Sequence, residues 1–170
     1  DLLADAPDLD HFYQLLLERT EGYPFYIEET VQGLVEEGVL TGERGSYRLT
    51  VPVREISVPP TIQSVIGARI DRLPPDSKRL LQIASVIGKD FELALLRSVA
   101  EADDASVQNQ LAIIQDGEFV YETHLFPDLE YTFKHALTHQ VAYEGLLKQH
   151  RREKHAEILT AMEQIFADRL

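Results

Sequence analysis

The chain contains no cysteine, which removes disulfides, thiol nucleophiles and cysteine-based zinc sites and fits a reducing compartment such as the cytoplasm. No apolar run approaches the roughly 20 residues that a bilayer-spanning helix needs. The opening DLLADAPDLD has neither the basic region nor the apolar core of a secretory signal. Basic side chains are scarce, 16 against 29 acidic ones, for a net charge of −13. Such a surface repels a phosphate polymer unless its cations are segregated onto one face. Catalytic signatures are missing too. There is no G-x-x-x-x-G-K-S/T phosphate loop, no G-x-S-x-G elbow and no H-E-x-x-H helix. The expectation is a segment that is not an enzyme on its own.

What is present is an ordinary globular composition: 170 residues, 44% apolar and 26% charged, enough for one large or two small domains. Residues 1–60 are the more acidic part, with 12 acidic and 4 basic side chains. Apolar spacing reads as helix almost throughout. Phe12, Leu15, Leu16 and Arg19 share one face of a first helix, with Asp8 or Asp10 as its N-cap. Gly22-Tyr23-Pro24 breaks the chain, and Ile27, Val31, Leu34 and Val35 make the stripe of a second helix. Val39–Thr41 and Tyr47–Thr50 flank a glycine-containing turn and predict a short hairpin. Residues 51–60, with Pro52, Pro59 and Pro60, read as an extended linker between subdomains.

Beyond it, Thr61 caps a helix with stripe Ile62, Val65, Ile66, Ile70 and Leu73. Further helices follow on Leu80, Leu81, Ala84 and Ile87, on Leu93, Leu96 and Val99, and on Val107, Leu111 and Ile114. Phe119–Tyr121 and Leu129–Phe133 are strand-like and joined by the loop Glu122–Asp128. Helices followed by such a hairpin give the order of a winged helix-turn-helix at about 61–134. Residues 135–147 read as helical. The last segment puts Ile158, Leu159, Met162, Ile165 and Phe166 on one face of an amphipathic helix. That helix runs to Leu170 without a stop signal, and the native polypeptide is expected to continue.

Three local features bear on chemistry, each with a plainer alternative. In Thr20–Glu29, Gly22 lets the backbone bend and Pro24 starts a helix, while Tyr23, Phe25 and Tyr26 gather aromatic surface around the turn. That surface suits a purine face, and it equally suits a packed helix–helix corner. His135 lies just after a strand at the start of a helix, where free N–H groups favour an anion; a helix-capping or surface histidine is the alternative. His135 and His139, at i and i+4, suit one metal ion, but local spacing supplies no third ligand and no metal site is expected. The basic cluster Lys148, Arg151, Arg152 and Lys154, with His150 and His155, reads mainly as a solvated helix face.

The motif order carries more than any single motif. T-E-G-Y-P-F-Y-I-E-E, L-V-E-E-G-V-L, V-P-P-T-I-Q-S-V-I-G-A-R-I-D-R-L-P, L-L-Q-I-A-S-V-I-G-K-D-F, Y-T-F-K-H-A-L-T-H-Q-V-A-Y-E-G-L-L and R-R-E-K-H-A-E-I-L follow one another from about Leu9 to Ile158. This succession resembles the region after the nucleotide-binding core of bacterial STAND-type signalling ATPases. Those are AAA-related switch proteins, often fused to adenylate/guanylate cyclase, kinase or LuxR-type DNA-binding domains, with tetratricopeptide repeats downstream. The resemblance implies a G-x-P turn beside the adenine, here Gly22, Tyr23 and Pro24. It implies a switch histidine that reads the β-phosphate, here His135. The phosphate loop and magnesium-binding acid are then expected upstream of Asp1, so ATP or ADP belongs to the full-length parent and no cofactor is expected in the isolated segment.

The expectation is thus a mostly α chain: a helical lid with a small hairpin over 1–58, a winged helix-turn-helix domain over 59–134, and C-terminal helices over 135–170 leading toward a helical-repeat region. The implied function is a non-catalytic, cytoplasmic regulatory segment that helps sense bound ATP or ADP and relays it to an effector domain. Its partners are the upstream nucleotide-binding domain and the effector of the same chain, with no membrane. One alternative is a winged-helix transcription regulator. Against it, the reading helix at about 104–115 carries no Lys or Arg and leaves only Gln108, Asn109, Gln110 and Gln115 for base edges. The other alternative is a plain interaction scaffold.

Overall fold

The computed structural model describes residues 6–125 and 128–169. The chain is mostly helical and divides into two compact units, Asp1–Arg69 and Ile70–Leu170.

The first unit begins with α1 (Ala6–Thr20) and α2 (Pro24–Glu36). Helix α1 starts ahead of Asp8 and Asp10, which therefore lie within it and not at its N-cap position. Pro7 falls in its first turn, where a missing N–H costs no hydrogen bond. Phe12 and Leu16 of α1 meet Leu34 of α2 in a buried cluster. That cluster is completed by Leu40 and Leu49, which face each other across the hairpin of β1 (Leu40–Thr41) and β2 (Arg48–Leu49). The hairpin is where the turn chemistry placed it. Gly42 has φ +103°, and a Cβ there would lie 2.7 Å from the Ser46 carbonyl oxygen, so only glycine fits.

Residues 51–60 depart from the expected extended linker. A 3-10 turn, Val53–Glu55, interrupts them, Val53 and Ile56 pack on the hydrophobic cluster, and the Tyr26 hydroxyl donates to the Pro59 carbonyl at 2.6 Å. The prolines stiffen this segment, so pinning it costs less entropy than pinning a flexible linker.

Helix α3 (Ile62–Arg72) contains the boundary between the units. Thr61 caps it as expected. Its hydroxyl accepts from the Ser64 N–H at 3.1 Å, and the Ser64 hydroxyl accepts in return from the Thr61 N–H at 3.1 Å. Arg69 shares the stripe of Val65 and Ile66 and is only 2% exposed. Its guanidinium donates to the buried Glu29 carboxylate and, through Nη2 at 2.8 Å, to Glu36. Both acids come from α2. Their seven-residue spacing puts them two turns apart on one face. Burial works against the cation, but the hydrogen bonds and charges of Glu36 and Glu29 outweigh it and hold the guanidinium above its usual range. The expected α2 stripe is shifted accordingly. Tyr26, Glu29, Thr30, Gly33 and Leu34 are the buried residues, with Ile27, Val31 and Val35 half-buried.

The second unit runs α4 (Pro75–Ile87), β3 (Asp90–Glu92), α5 (Leu93–Val99), α6 (Asp104–Asp116), β4 (Val120–His124), β5 (Glu130–Phe133), α7 (Ala136–Glu144) and α8 (Lys148–Arg169). Its sheet has the order β3-β5-β4, all antiparallel, with Asp90 opposite Thr132 and Val120 opposite Phe133. Strand β3 has no counterpart in the sequence reading. Three residues carry no usable alternation, and their partner lies some forty positions further on. Pairing is reinforced through the core: Phe91 stacks on Tyr131 with ring centroids 5.8 Å apart and meets Phe133 edge-on at 5.9 Å. Helix α6 is capped by Asp103, whose carboxylate accepts from the Ser106 N–H at 2.8 Å. Its Val107, Leu111 and Ile114 are buried as their spacing predicts.

Helix α8 corrects two expectations. Its buried positions are Lys154, Ile158 and Ala161, while Leu159 and Phe166 are 60% and 53% exposed. Lys154 is also not part of a solvated basic face. It is 6% exposed and donates at 2.9 Å to both Glu101 and Glu157. Burial penalises this ammonium, yet hydrogen bonds to Glu157 and Glu101 prevail and keep it above the usual lysine range. Glu101 also receives Arg79 through Nε at 2.6 Å and Nη2 at 2.7 Å.

Two stability outcomes follow from these clusters. Arg69→Ala leaves two carboxylates facing each other in the first unit and is expected to cost about 3–5 kcal/mol in urea unfolding. Arg69→Met combined with Glu29→Leu and Glu36→Met should recover most of that loss; a loss below about 1 kcal/mol for the single variant would refute the role given to Arg69. In the second unit, hydrogen bonds from Arg79 and then Lys154 hold the Glu101 carboxyl at about 2, below its ordinary 4.5. The folded state thus binds fewer protons than the unfolded state in this range, so the contribution is complete above about pH 4.5 and fades as pH falls toward 2. Wild type should lose more stability than Glu101→Gln between about pH 5 and pH 2.5, measured by chemical unfolding. Equal slopes would contradict the assignment.

Candidate functional site

The two features singled out by sequence belong to different units, Gly22–Pro24 to the first and His135 to the second.

The corner after α1 is built by two consecutive left-handed residues, Glu21 at φ 54° and Gly22 at φ 76°. The Tyr23 N–H donates to the Thr20 carbonyl at 3.1 Å and closes the turn. Tyr23 then takes an extended conformation as the N-cap of α2, makes no side-chain cap, and leaves Pro24 as the first helical residue. The Tyr23 carbonyl accepts the first helical hydrogen bond, from Ile27 at 3.0 Å. The three aromatic rings have separate fates. Tyr26 is buried and spends its hydroxyl on Pro59; burial raises its pKa. Phe25 is half-buried, and Tyr23 is 64% exposed. The expected aromatic surface therefore narrows to one ring, held by a backbone with little freedom to move it.

His135 is the N-cap of α7, with extended backbone (φ −135°, ψ 144°) and no side-chain cap. The side chain is half-buried, and its own carbonyl receives the His139 N–H at 3.3 Å. Four residues on, His139 is already engaged. Its Nε2 lies 2.7 Å from the Ser85 carbonyl of α4, so that nitrogen carries the proton in this contact. Its ring packs on Phe133 at 5.2 Å and on Tyr143 at 6.4 Å. With Nε2 committed to a carbonyl, His139 serves α7 packing. Among the described residues no group of three or more His, Asp or Glu converges as a metal would require.

The basic run at the start of α8 is divided: Lys148, His150 and Arg152 are exposed, as a solvated face requires, while Lys154 is buried and Arg151 half-buried. The Arg151 guanidinium lies 4.9 Å over the Tyr143 ring, and the Tyr143 hydroxyl is 3.1 Å from Nε2 of His155. A cavity of about 340 Å³ in the second unit is lined by Arg79, Glu101, Asp103 and Ser106. Arg79 and Glu101 pair with each other there, and Asp103 caps the start of α6.

The buried ion cluster of Arg69 is what the sequence reading missed. A signal for it exists: Arg69 is a cation at the i+4 and i+3 positions of Val65 and Ile66, inside an otherwise apolar stripe. A charge on such a face needs a partner, since an unpaired one would not survive burial.

Gly22 is open to a simple check. A Cβ there would meet nothing within 4 Å, so any cost is that of left-handed backbone alone. Gly22→Ala should destabilise the chain by about 1–2 kcal/mol in urea unfolding without altering its circular dichroism. No change in stability would mean that the corner relaxes and does not hold Tyr23.

Against known proteins, no family model matches the chain and no curated protein matches it.

Proposed function

We propose that this chain is a non-catalytic regulatory segment of a nucleotide-dependent signalling switch. In this reading residues 1–58 act as a helical lid and residues 59–134 as a winged helix-turn-helix, reused for contacts within its own protein. The observation that carries the proposal is the corner at Gly22–Pro24. One large aromatic ring stands 64% exposed on a turn whose two preceding residues are both left-handed and whose next residue is a helix-starting proline. An exposed ring on a pre-set backbone loses little entropy on stacking against a planar base. His135 supports the same reading. It begins α7, at a helix end where backbone N–H groups and an imidazole suit a phosphate oxygen. ATP or ADP held by an upstream domain of the same polypeptide is the proposed ligand, and its state is passed to an effector domain.

The second unit favours protein contacts over DNA. The succession α4, β3, α5, α6, β4, β5, with β3 joined to the far strand of the hairpin, supports the winged-helix reading. From Asp104 to Phe133, which covers α6 and the hairpin, there is no Lys or Arg, while six carboxylates occur. DNA affinity comes chiefly from cations neutralising phosphates, and neither element that would enter a groove or touch a backbone supplies one.

The test is made in the full-length polypeptide that carries this segment. Tyr23→Ala is expected to weaken adenine-nucleotide binding by about 1–3 kcal/mol, the usual range for a base on an aromatic platform. His135→Ala is expected to change the ratio of ADP to ATP affinity and leave Tyr23 stacking intact. Unchanged affinities and unchanged preference in both variants, measured by calorimetric titration, would exclude the nucleotide reading.

A further inference from the structure

The C-terminal half of α8, together with β3 and the start of α5, encloses a groove of about 210 Å³. Its floor is apolar: Phe91, Leu95, Met162, Ile165 and Phe166. Phe166 is 53% exposed, and one face of α8 carries the apolar strip on to Leu159, 60% exposed. Leu159, Met162 and Phe166 stand at i, i+3 and i+7, so the strip runs about 10 Å along the helix axis. A contiguous apolar strip that the fold leaves in water marks a contact surface more often than chance exposure does.

The rim is mostly acidic. Asp90, Glu92 and Glu130 line the groove, and Asp128 adjoins it through Arg169, which donates to Glu92 at 3.2 Å and to Asp128 at 3.0 Å. Glu130 pairs with His124 at 3.1 Å, and Asp90 accepts from the Thr132 hydroxyl. Among the described residues that line the groove, Arg169 is the one Lys or Arg, beside three carboxylates, and it already pairs with Glu92.

Size, direction and charge select the occupant. The volume falls below the roughly 300 Å³ at which small-molecule pockets begin, but it accepts one or two protruding side chains. The strip lies along α8, so a second helix laid beside it meets Leu159, Met162 and Phe166 with residues of matching i, i+3 or i+4, i+7 spacing. A second copy of the chain would bring the same acidic rim and a net charge of −13, which repels its like. We infer that this groove docks an amphipathic helix of a partner polypeptide, one that places apolar anchors on the α8 strip and Lys or Arg side chains against the Asp90, Glu92, Asp128 and Glu130 rim.

The test uses the whole chain and three synthetic helical peptides of about 16 residues. One carries leucines along a single face flanked by lysines. The second has glutamates in place of the lysines. The third has the composition of the first in scrambled order. Binding is measured by fluorescence anisotropy at physiological ionic strength, and its location by amide chemical shifts. The leucine/lysine peptide is expected to bind with shifts confined to residues 87–95, 128–130 and 159–169, and the other two at least about tenfold more weakly. Phe166→Ser and, separately, Leu159→Ser should each weaken the first peptide about tenfold while the thermal midpoint stays put, since both side chains are more than half exposed. The inference is overturned if the first peptide does not bind, if the scrambled peptide binds as well, if the shifts spread over the acidic surface at large, or if neither serine variant matters. Self-association of the chain through the same residues, seen by sedimentation, would overturn it as well.

Discussion

An arginine cannot shed its charge, and Arg69 is almost wholly out of water. That constraint organises the first unit. A lone guanidinium in such a place would cost more than a small domain can bear, so α2 must present Glu29 and Glu36 to it, and α3 must keep the rotation that delivers it. Once those helices are registered, Tyr26 lies within reach of the Pro59 carbonyl, residues 51–60 fold back onto the unit, and the first turn of α2 holds Pro24 and Tyr23 in a fixed attitude. The candidate site is a surface feature, but its geometry is inherited from this buried contact. An apolar trio of the same shape would pack with comparable stability. What the ions add is direction, because a planar fork accepts carboxylates from few angles.

The second unit shows the same logic on a shallower scale. Lys154 enters the interface of α8 with its charge compensated by Glu101 and Glu157, and Glu101 is further held by Arg79. These carboxylates are half exposed, so solvent screens them and their worth is modest; they set which way α8 faces. Turning Lys154 and Ile158 inward leaves Leu159 and Phe166 outward, on the neighbouring strip of the same helix. The exposed apolar strip is a consequence of how the buried lysine is satisfied.

Local chemistry was legible wherever it acts over a few residues. The cap at Thr61, the glycine turn at Gly42, the Gly22–Pro24 corner and the stripes Val107–Leu111–Ile114 and Phe12–Leu16 all follow from neighbours in sequence, and the structure has them. The misreadings share a cause. Asp8 and Asp10 were good caps for a helix that starts earlier. Tyr26 looked like part of an open aromatic surface, and its partner is thirty-three residues away. Strand β3 is defined by β5, some forty residues on. His139 was paired by spacing with His135, and its real partner is a carbonyl on α4.

By itself the sequence determined a mostly helical chain without membrane-spanning runs, its turns and caps, its acidic surface, and the local shape of the corner that carries Tyr23. Each of these rests on propensity, composition or hydrogen bonds between near neighbours. Only the tertiary structure decided which charges go inside, which face of α8 stays wet, that β3 exists, and that the proline-rich segment is packed and not loose. Those outcomes depend on meetings between residues dozens of positions apart, where the cost of burying an ion or leaving a strand unpaired is judged against every other surface the chain has to offer.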